Sequence, residues 1–297
     1  MSSISIVRSP NAESLAKIAS VQCGDIEITA FSDGYNDLTL DAFTYAEPER
    51  FVPLLSAAGL PERPVRVQIN SYLIRDEGRV FLIDSGMGYY AGPTMGHAGE
   101  GRAMLGLKPE QVTDIVLTHL HRDHCGGLMT REETPVFANA AVHVSREEHA
   151  YWTDPGIMEA SPEMFRPMVR IAQTVMKAYA DRVHLIDSGS RITKNMWMSP
   201  VPGHTPGQNA VWFARGSSRI CIWGDIIHCA PLQLPLPDIT FRYDIDPAQA
   251  RAKRREMLAR AAVEGFFIGG AHLPFPGIGT VAATADGGYR FDAVKEA

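Results

Sequence analysis

Short apolar runs set off by glycine- and aspartate-rich turns recur along the chain. Residues 26–31, 67–74 and 80–83 are rich in β-branched and aromatic side chains over strand-length windows, with Asp33-Gly34 and Glu77-Gly78 placed as turns between them. This pattern predicts an opening β-meander. Residues 41–64 carry Pro48, Pro53, Pro61 and Pro64 around a short helical patch, a composition suited to a surface excursion. After the 80–83 strand, Asp84-Ser85-Gly86-Met87-Gly88 opens a glycine-rich loop that leads into a short helix ending near Leu107, and 114–118 reads as the next strand. A strand over 142–144, a helix over 146–152 and a longer helix over 162–179, interrupted at Pro167, follow. The second half returns to strands at 183–186, 197–200, 210–213 and 220–223, and the Ala and Leu spacing of 246–262 predicts an amphipathic helix. Two strand-rich halves that each supply helices imply an α/β fold of four layers, two sheets face to face with helices outside. We expect a single domain over 1–297, with 1–20 as a flexible leader, and find no repeat of fixed period.

Charge and composition narrow the function. The formal net charge is -6, and the cationic residues are scattered except over 251–255, so no basic field awaits a phosphate backbone and nucleic acid is not an expected partner. Lys253-Arg254-Arg255 reads as a solvated helix face. No apolar stretch approaches the roughly 18–20 residues of a membrane span, and the polar start lacks an apolar centre, which predicts a cytoplasmic protein with no membrane partner. Cys23, Cys125, Cys221 and Cys229 lack paired spacing and are expected as buried thiols. The glycine-rich loop lacks both nucleotide-binding signatures.

The chemistry concentrates in His119-Leu120-His121-Arg122-Asp123-His124, which follows an apolar strand and brings three imidazoles and a carboxylate to one place. Three later residues also sit where strands end or Gly/Pro turns open: His204 in Pro202-Gly203-His204-Thr205-Pro206-Gly207, Asp225 after Trp223-Gly224, and His272 after Gly269-Gly270-Ala271. Five histidines and two aspartates suffice for two metal sites that share one carboxylate and leave a position open for substrate. The ions are expected to be zinc, with manganese, cobalt or iron accepted by the same donors. A pair of such ions lowers the pKa of a water held between them from about 15.7 toward 7, and no Gly-x-Ser-x-Gly elbow offers a serine nucleophile instead.

This ligand order resembles the metallo-β-lactamase superfamily, as do Asp84-Ser85-Gly86 after the strand 81–83 and the Pro202–Gly207 turn. The resemblance implies that His119, His121 and His204 hold one ion, that Asp123, His124 and His272 hold the other, that Asp225 bridges, and that Asp84 orients a ligand histidine. Residues 270–279 and Gly92-Pro93-Thr94 are similar to methyl parathion hydrolases and their lactonase relatives, over about 24–291. That likeness implies a homodimer acting on small lactones, aryl esters or organophosphate triesters. The leading expectation is a lactonase of the acyl-homoserine lactone kind with incidental esterase and phosphotriesterase activity, and the runner-up is a dedicated organophosphate or aryl-ester hydrolase. A non-catalytic metal sensor is the alternative of another class.

Acyl-homoserine lactonases of the superfamily carry Tyr three residues after the bridging Asp, where this chain has His228. Asp123, Asp225 and His228 are the candidate catalytic groups, with His228 a proton donor or shuttle. Tyr90, Tyr151, Trp152, Phe165, Met168 and Leu273 are the candidate substrate-pocket residues, Trp152 by its match to a pocket Trp of the parathion hydrolases.

Overall fold

The computed structural model describes residues 2–11, 14–45 and 48–295. Its strands in chain order are β1 (Ser2–Arg8), β2 (Lys17–Cys23), β3 (Ile26–Leu38), β4 (Phe43–Thr44), β5 (Val65–Asp76), β6 (Arg79–Ile83), β7 (Asp114–Val116) and β8 (Ala141–Ser145). They continue as β9 (Val183–Ile186), β10 (Met196–Pro200), β11 (Asn209–Arg215), β12 (Ser218–Ile222), β13 (Thr240–Phe241), β14 (Phe267–Gly269), β15 (Ile278–Ala283) and β16 (Tyr289–Ala293). One sheet runs β1-β2-β3-β5-β6-β7-β8-β9, a second runs β10-β11-β12-β14-β15-β16, and β4 pairs with β13.

Residue alternation explains the layers. A strand sends successive side chains to opposite faces, so a sheet covered on both sides needs unbroken apolar runs. Leu82, Ile115 and Leu117 enter a core shared with Val169, Ala172 and Val175 of the helix Arg166–Ala178. Their neighbours Phe81, Ile83 and Val116 point the other way, into a core shared with Val211, Phe213, Ile220 and Ile222 of the second sheet. Trp212, Cys221 and Ile268 turn outward again, onto Met257, Leu258 and Ala261 of the helix Pro247–Glu264. The result is the expected order of helix, sheet, sheet and helix, and each large side chain so buried contributes about 1.5–3 kcal/mol. All four cysteines are buried and free.

Several expectations are corrected. The proposed leader forms β1 and the start of β2, paired Ser2 to Cys23 through Arg8 to Lys17; its residues 1, 12 and 13 lie outside the described residues. Ile4 and Ile6 alternate with Ser3 and Ser5 and pack on the inter-sheet core, a strand signal masked by serine content. Asp33-Gly34 is not a turn: it lies inside β3 at a register shift opposite β5. Pro167 does not interrupt a helix. It occupies the first turn of Arg166–Ala178, where a missing N–H costs nothing. Pro48, in the expected surface excursion, begins a short helical turn, and Ala46 and Glu47 lie outside the described residues. Among the described residues no helix is long and apolar enough to cross a membrane.

Candidate metal centre

The donors converge because the strands that carry them stop at one edge. The parallel pairs β6–β7 and β12–β14 deliver Asp84, the 119–124 segment, Asp225 and His272 from their carboxyl ends, and the turn after β10 brings His204. His119, His121, His204 and Asp225 form one group of close ligand atoms; Asp123, His124 and His272 form another. His204 Nε2 lies 2.9 Å from His121 Nδ1 and 3.1 Å from Asp225 Oδ2, and His119 Nε2 lies 3.6 Å from that oxygen. In the second group His124 Nε2 and His272 Nε2 lie 3.7 and 3.6 Å from Asp123 Oδ2. Asp225 reaches both groups, with Oδ1 3.1 Å from His124 Nε2 and Oδ2 3.0 Å from His272 Nε2. Donors held tetrahedrally at about 2.0–2.2 Å from an ion stand roughly 3.3–3.6 Å apart; the 3.6 and 3.7 Å spacings match that, and the 2.9–3.1 Å spacings are a few tenths of an ångström tighter.

Two further observations support that fit. His119 Nε2, His124 Nε2 and Asp225 Oδ1 are buried polar atoms with no hydrogen-bond partner, a costly condition unless a ligand completes them; His121 faces the group through Nδ1 instead. The opposite ring nitrogens are meanwhile held. His124 Nδ1 donates to Asp84 Oδ2 at 2.8 Å, His204 Nδ1 to Asp244 Oδ1 at 2.8 Å, and His272 Nδ1 to the Gln68 carbonyl at 2.6 Å. His119 Nδ1 lies 3.1 Å from Thr118 Oγ1. Each contact fixes the tautomer that presents Nε2 inward.

Asp84 performs its part in a sparsely populated backbone conformation, φ +56°. A non-glycine residue there costs of order 1–3 kcal/mol and persists where surrounding structure over-determines it. Here Asp84 accepts from Thr118 N–H at 2.9 Å and Thr118 Oγ1–H at 2.8 Å as well as from His124.

The ion-free electrostatics are those of protons standing where cations would go. Burial opposes charge on His204, but Asp225 and Asp244 overcome it and hold its pKa at about 9. Burial likewise opposes charge on His124, and Asp225, Asp84 and Asp123 raise it well above the ordinary histidine value. Burial and neighbouring imidazoles push His119 and His121 well below it. Asp225 is held well below the ordinary aspartate value against burial by the surrounding imidazoles, His124 foremost.

His228 joins this cluster. It is buried, its Nε2 lies 3.1 Å from Asp225 Oδ2, and its ring stacks between Phe241 and His272. Burial pushes its pKa down to about 4, Asp225 only partly offsetting that, and its Nδ1 has no partner.

A cavity of about 40 Å³ opens here, lined by Asp123, Asp225, His228 and His272 with Leu38, Ile69, Met168, Phe241 and Tyr243 among its walls. Met168 lines this cavity, whereas the other pocket candidates do not. Tyr151, Trp152 and Phe165 line a neighbouring one of about 390 Å³, together with Arg242 and Asp244. The Phe165 ring meets Tyr243 edge to face at 5.9 Å, and Trp152 meets His121 likewise at 5.4 Å, so aromatic side chains that line the two spaces touch. Leu273 is a correction. It follows His272 in the chain, but the turn sends its side chain into the core beneath the second sheet, beside Trp223. Tyr90 packs against Tyr89 and the 126–128 turn, away from the donors.

Residues outside the expected set also build the centre. Asp33, fully buried, accepts from the backbone N–H groups of Met87, Gly96 and Ala98 and so fastens the glycine-rich loop. Arg254 is another correction: it is 1% exposed, donates to the Ile226 and Ile239 carbonyls and lies 3.8 Å from Asp244. It separates from its solvated neighbours Lys253 and Arg255 because helical periodicity turns it inward.

Comparison with known proteins agrees with this geometry. The family model of the metallo-β-lactamase superfamily matches residues 64–272, which contain every donor named above. The chain belongs to the metallo-β-lactamase superfamily. Among solved metallo-β-lactamase folds, hydrolase AbOPH is 30% identical with a TM-score of 0.88, over 93% of this chain and 97% of that one. AidC, a dizinc quorum-quenching lactonase in complex with an N-acyl-L-homoserine product, is 26% identical with a TM-score of 0.89, over 95% and 99%. The uncharacterized protein YobT of Bacillus subtilis (strain 168) is 30% identical over 159 residues, 53% of this chain and 62% of that relative, so the chain spans less than two thirds of it. Both of these solved relatives are named as enzymes, one a hydrolase and one a lactonase.

Proposed function

We propose that the chain is a two-metal lactonase, taking N-acyl homoserine lactones or similar lactones, with aryl esters and organophosphate triesters as lesser substrates. The observation that carries this reading is the sharing of Asp225 between two convergent donor groups beside an apolar-walled cavity. The likeness to AidC supports the substrate class and supports zinc, which manganese, cobalt or iron would replace at the same donors. Ions bound here supply a lowered water pKa and polarisation of a carbonyl or phosphoryl oxygen.

The chain's own groups do the rest. Asp84, Asp244 and the Gln68 carbonyl keep the ring nitrogens aimed, which supplies preorganisation. Leu38, Ile69, Phe241 and Tyr243 exclude bulk water from the reacting end. His228, at the sequence position where related lactonases have Tyr, is neutral with its pKa at about 4 and so relays a proton, its Nε2–H beside Asp225 going to the departing alkoxide as its unpartnered Nδ1 takes another up. The apolar tail of the substrate is assigned to the larger cavity beyond Phe165 and Tyr243.

The deciding assay compares γ-lactones, δ-lactones and N-acyl homoserine lactones of graded acyl length with paraoxon analogues. Turnover confined to phosphotriesters defeats the lactone reading. His228→Ala is expected to lower kcat by roughly 10²- to 10⁴-fold with metal content unchanged. An unaltered kcat removes the proton-donor role.

A further inference from the structure

Glu148 lies outside both donor groups, yet it is the buried carboxylate that joins two ligand-bearing segments. It is 0% exposed, and four donors converge on it. Its Oε1 accepts from the Leu120 backbone N–H at 2.9 Å and from the Trp152 indole N–H at 2.7 Å. Its Oε2 accepts from Thr205 Oγ1–H at 2.7 Å and from the Gly207 backbone N–H at 3.1 Å. Leu120 stands between His119 and His121, and Thr205 directly follows His204. One side chain therefore spans the elements that carry three imidazoles of the first donor group.

The local chemistry is specific to a carboxylate. Three of the four partners, the Leu120 and Gly207 N–H groups and the Trp152 indole, can only donate and only the Thr205 hydroxyl could accept, so an amide nitrogen at either oxygen position faces at least one N–H. Burial raises the Glu148 pKa, and the Thr205, Leu120, Trp152 and Gly207 hydrogen bonds pull against that rise. The site is also closely packed: a Cβ on Gly207 would lie 2.0 Å from Glu148 N, so only glycine lets the ligand turn lie flush on the helix Arg146–Thr153.

Helix capping could have claimed this residue. Ser145 accepts from Glu148 N–H at 3.1 Å as an N-cap, and in Ser-x-x-Glu the acid ordinarily reaches back to the cap. Instead the carboxylate turns inward, and Ser145 Oγ–H donates to the Gly207 carbonyl at 2.6 Å, adding a second tie to the same turn.

We infer that Glu148 is a positioning residue that clamps the 119–121 segment to the 204–207 turn, so that His121 and His204 meet one ion together. The inference rests on the ligand reading and not on the identity of the substrate. It places no role on Glu148 at the other donor group, whose Asp123, His124 and His272 it does not touch. Selectivity between the two sites is therefore its signature, since a residue that only stabilised the fold would lower thermal stability and leave both affinities alone.

The test is zinc titration of the chelator-treated full chain against a chromophoric competitor, with folding followed by circular dichroism. Glu148→Gln is expected to weaken one of the two bound zinc ions by roughly 10- to 100-fold and to leave the other unchanged. A folded Glu148→Gln protein that binds both ions as tightly as the parent overturns the inference. Where Glu148→Gln does not fold, Thr205→Val keeps the carboxylate and deletes one donor. The same selective weakening to a smaller degree supports the clamp, and unchanged binding overturns it. A parent chain that binds no zinc overturns the ligand reading and this inference with it, so the two failures are distinguishable.

Discussion

Asp225→Asn is expected to remove most of the hydrolysis, lowering kcat/KM by roughly 10³-fold or more. Loss of a partner that merely orients a ligand costs roughly 10- to 100-fold, and Asp225 stands closer to the centre than any such partner. Its two oxygens meet His124 on one side and His204, His228 and His272 on the other, all at 3.0–3.1 Å. An amide there keeps the shape but supplies one acceptor where two are used, and turns an N–H₂ toward rings or an ion. The ion-free protein suffers as well. His204 and His124 owe their raised pKa values first to this carboxylate among the groups that oppose burial, so the substitution strands buried positive charge. Breaking a buried charge pair costs about 3–5 kcal/mol. Metal analysis by mass spectrometry, kcat/KM and the melting temperature of the chelated protein check the three effects. Full metal content with a parental rate defeats the bridging role.

Chelation is expected to abolish turnover, and zinc to restore it. The pH dependence has a definite sign. Without ions, His204 with its pKa at about 9 and His124 with its raised pKa hold protons at neutral pH. Zinc requires neutral imidazole, so binding expels those protons. Apparent affinity should therefore rise with pH up to about 9, by about tenfold per unit for each proton expelled, and fall as the solution is acidified. Calorimetry in buffers of different ionisation enthalpy counts the protons released. Saturating zinc at about 100 times its Kd should also stabilise the fold by about 2.7 kcal/mol. Zinc binding without any hydrolysis across the substrate panel would instead identify a metal sensor.

The convergence of these histidines and aspartates was legible because they are local or punctuated. His119 through His124 are contiguous, and His204, Asp225 and His272 each follow glycine-containing strand ends. The four-layer fold was legible from two strand-rich halves that each supply helices. The supporting groups were not, for physical reasons. Asp244 holds His204 from 40 residues away with no local pattern. Asp33 precedes a glycine and so imitates a turn, although its carboxylate collects three backbone donors. Arg254 sits among basic neighbours and only helical phase reveals that it points inward. The short strands β14 to β16 lie in glycine-rich sequence that weakens their period. Leu273 was misplaced because adjacency to a ligand says nothing about which way the next side chain turns.

The donors reach from His119, just past β7 of one sheet, to His272, just past β14 of the other. During synthesis the first 271 residues hold at most one finished set of donors, because the second waits for His272, which the pairing of β14 beside β12 then carries into place. On the two-metal reading, loading of both sites would be a late step in biogenesis, and a nascent polypeptide arrested before His272 emerges is expected to capture no more than a single zinc.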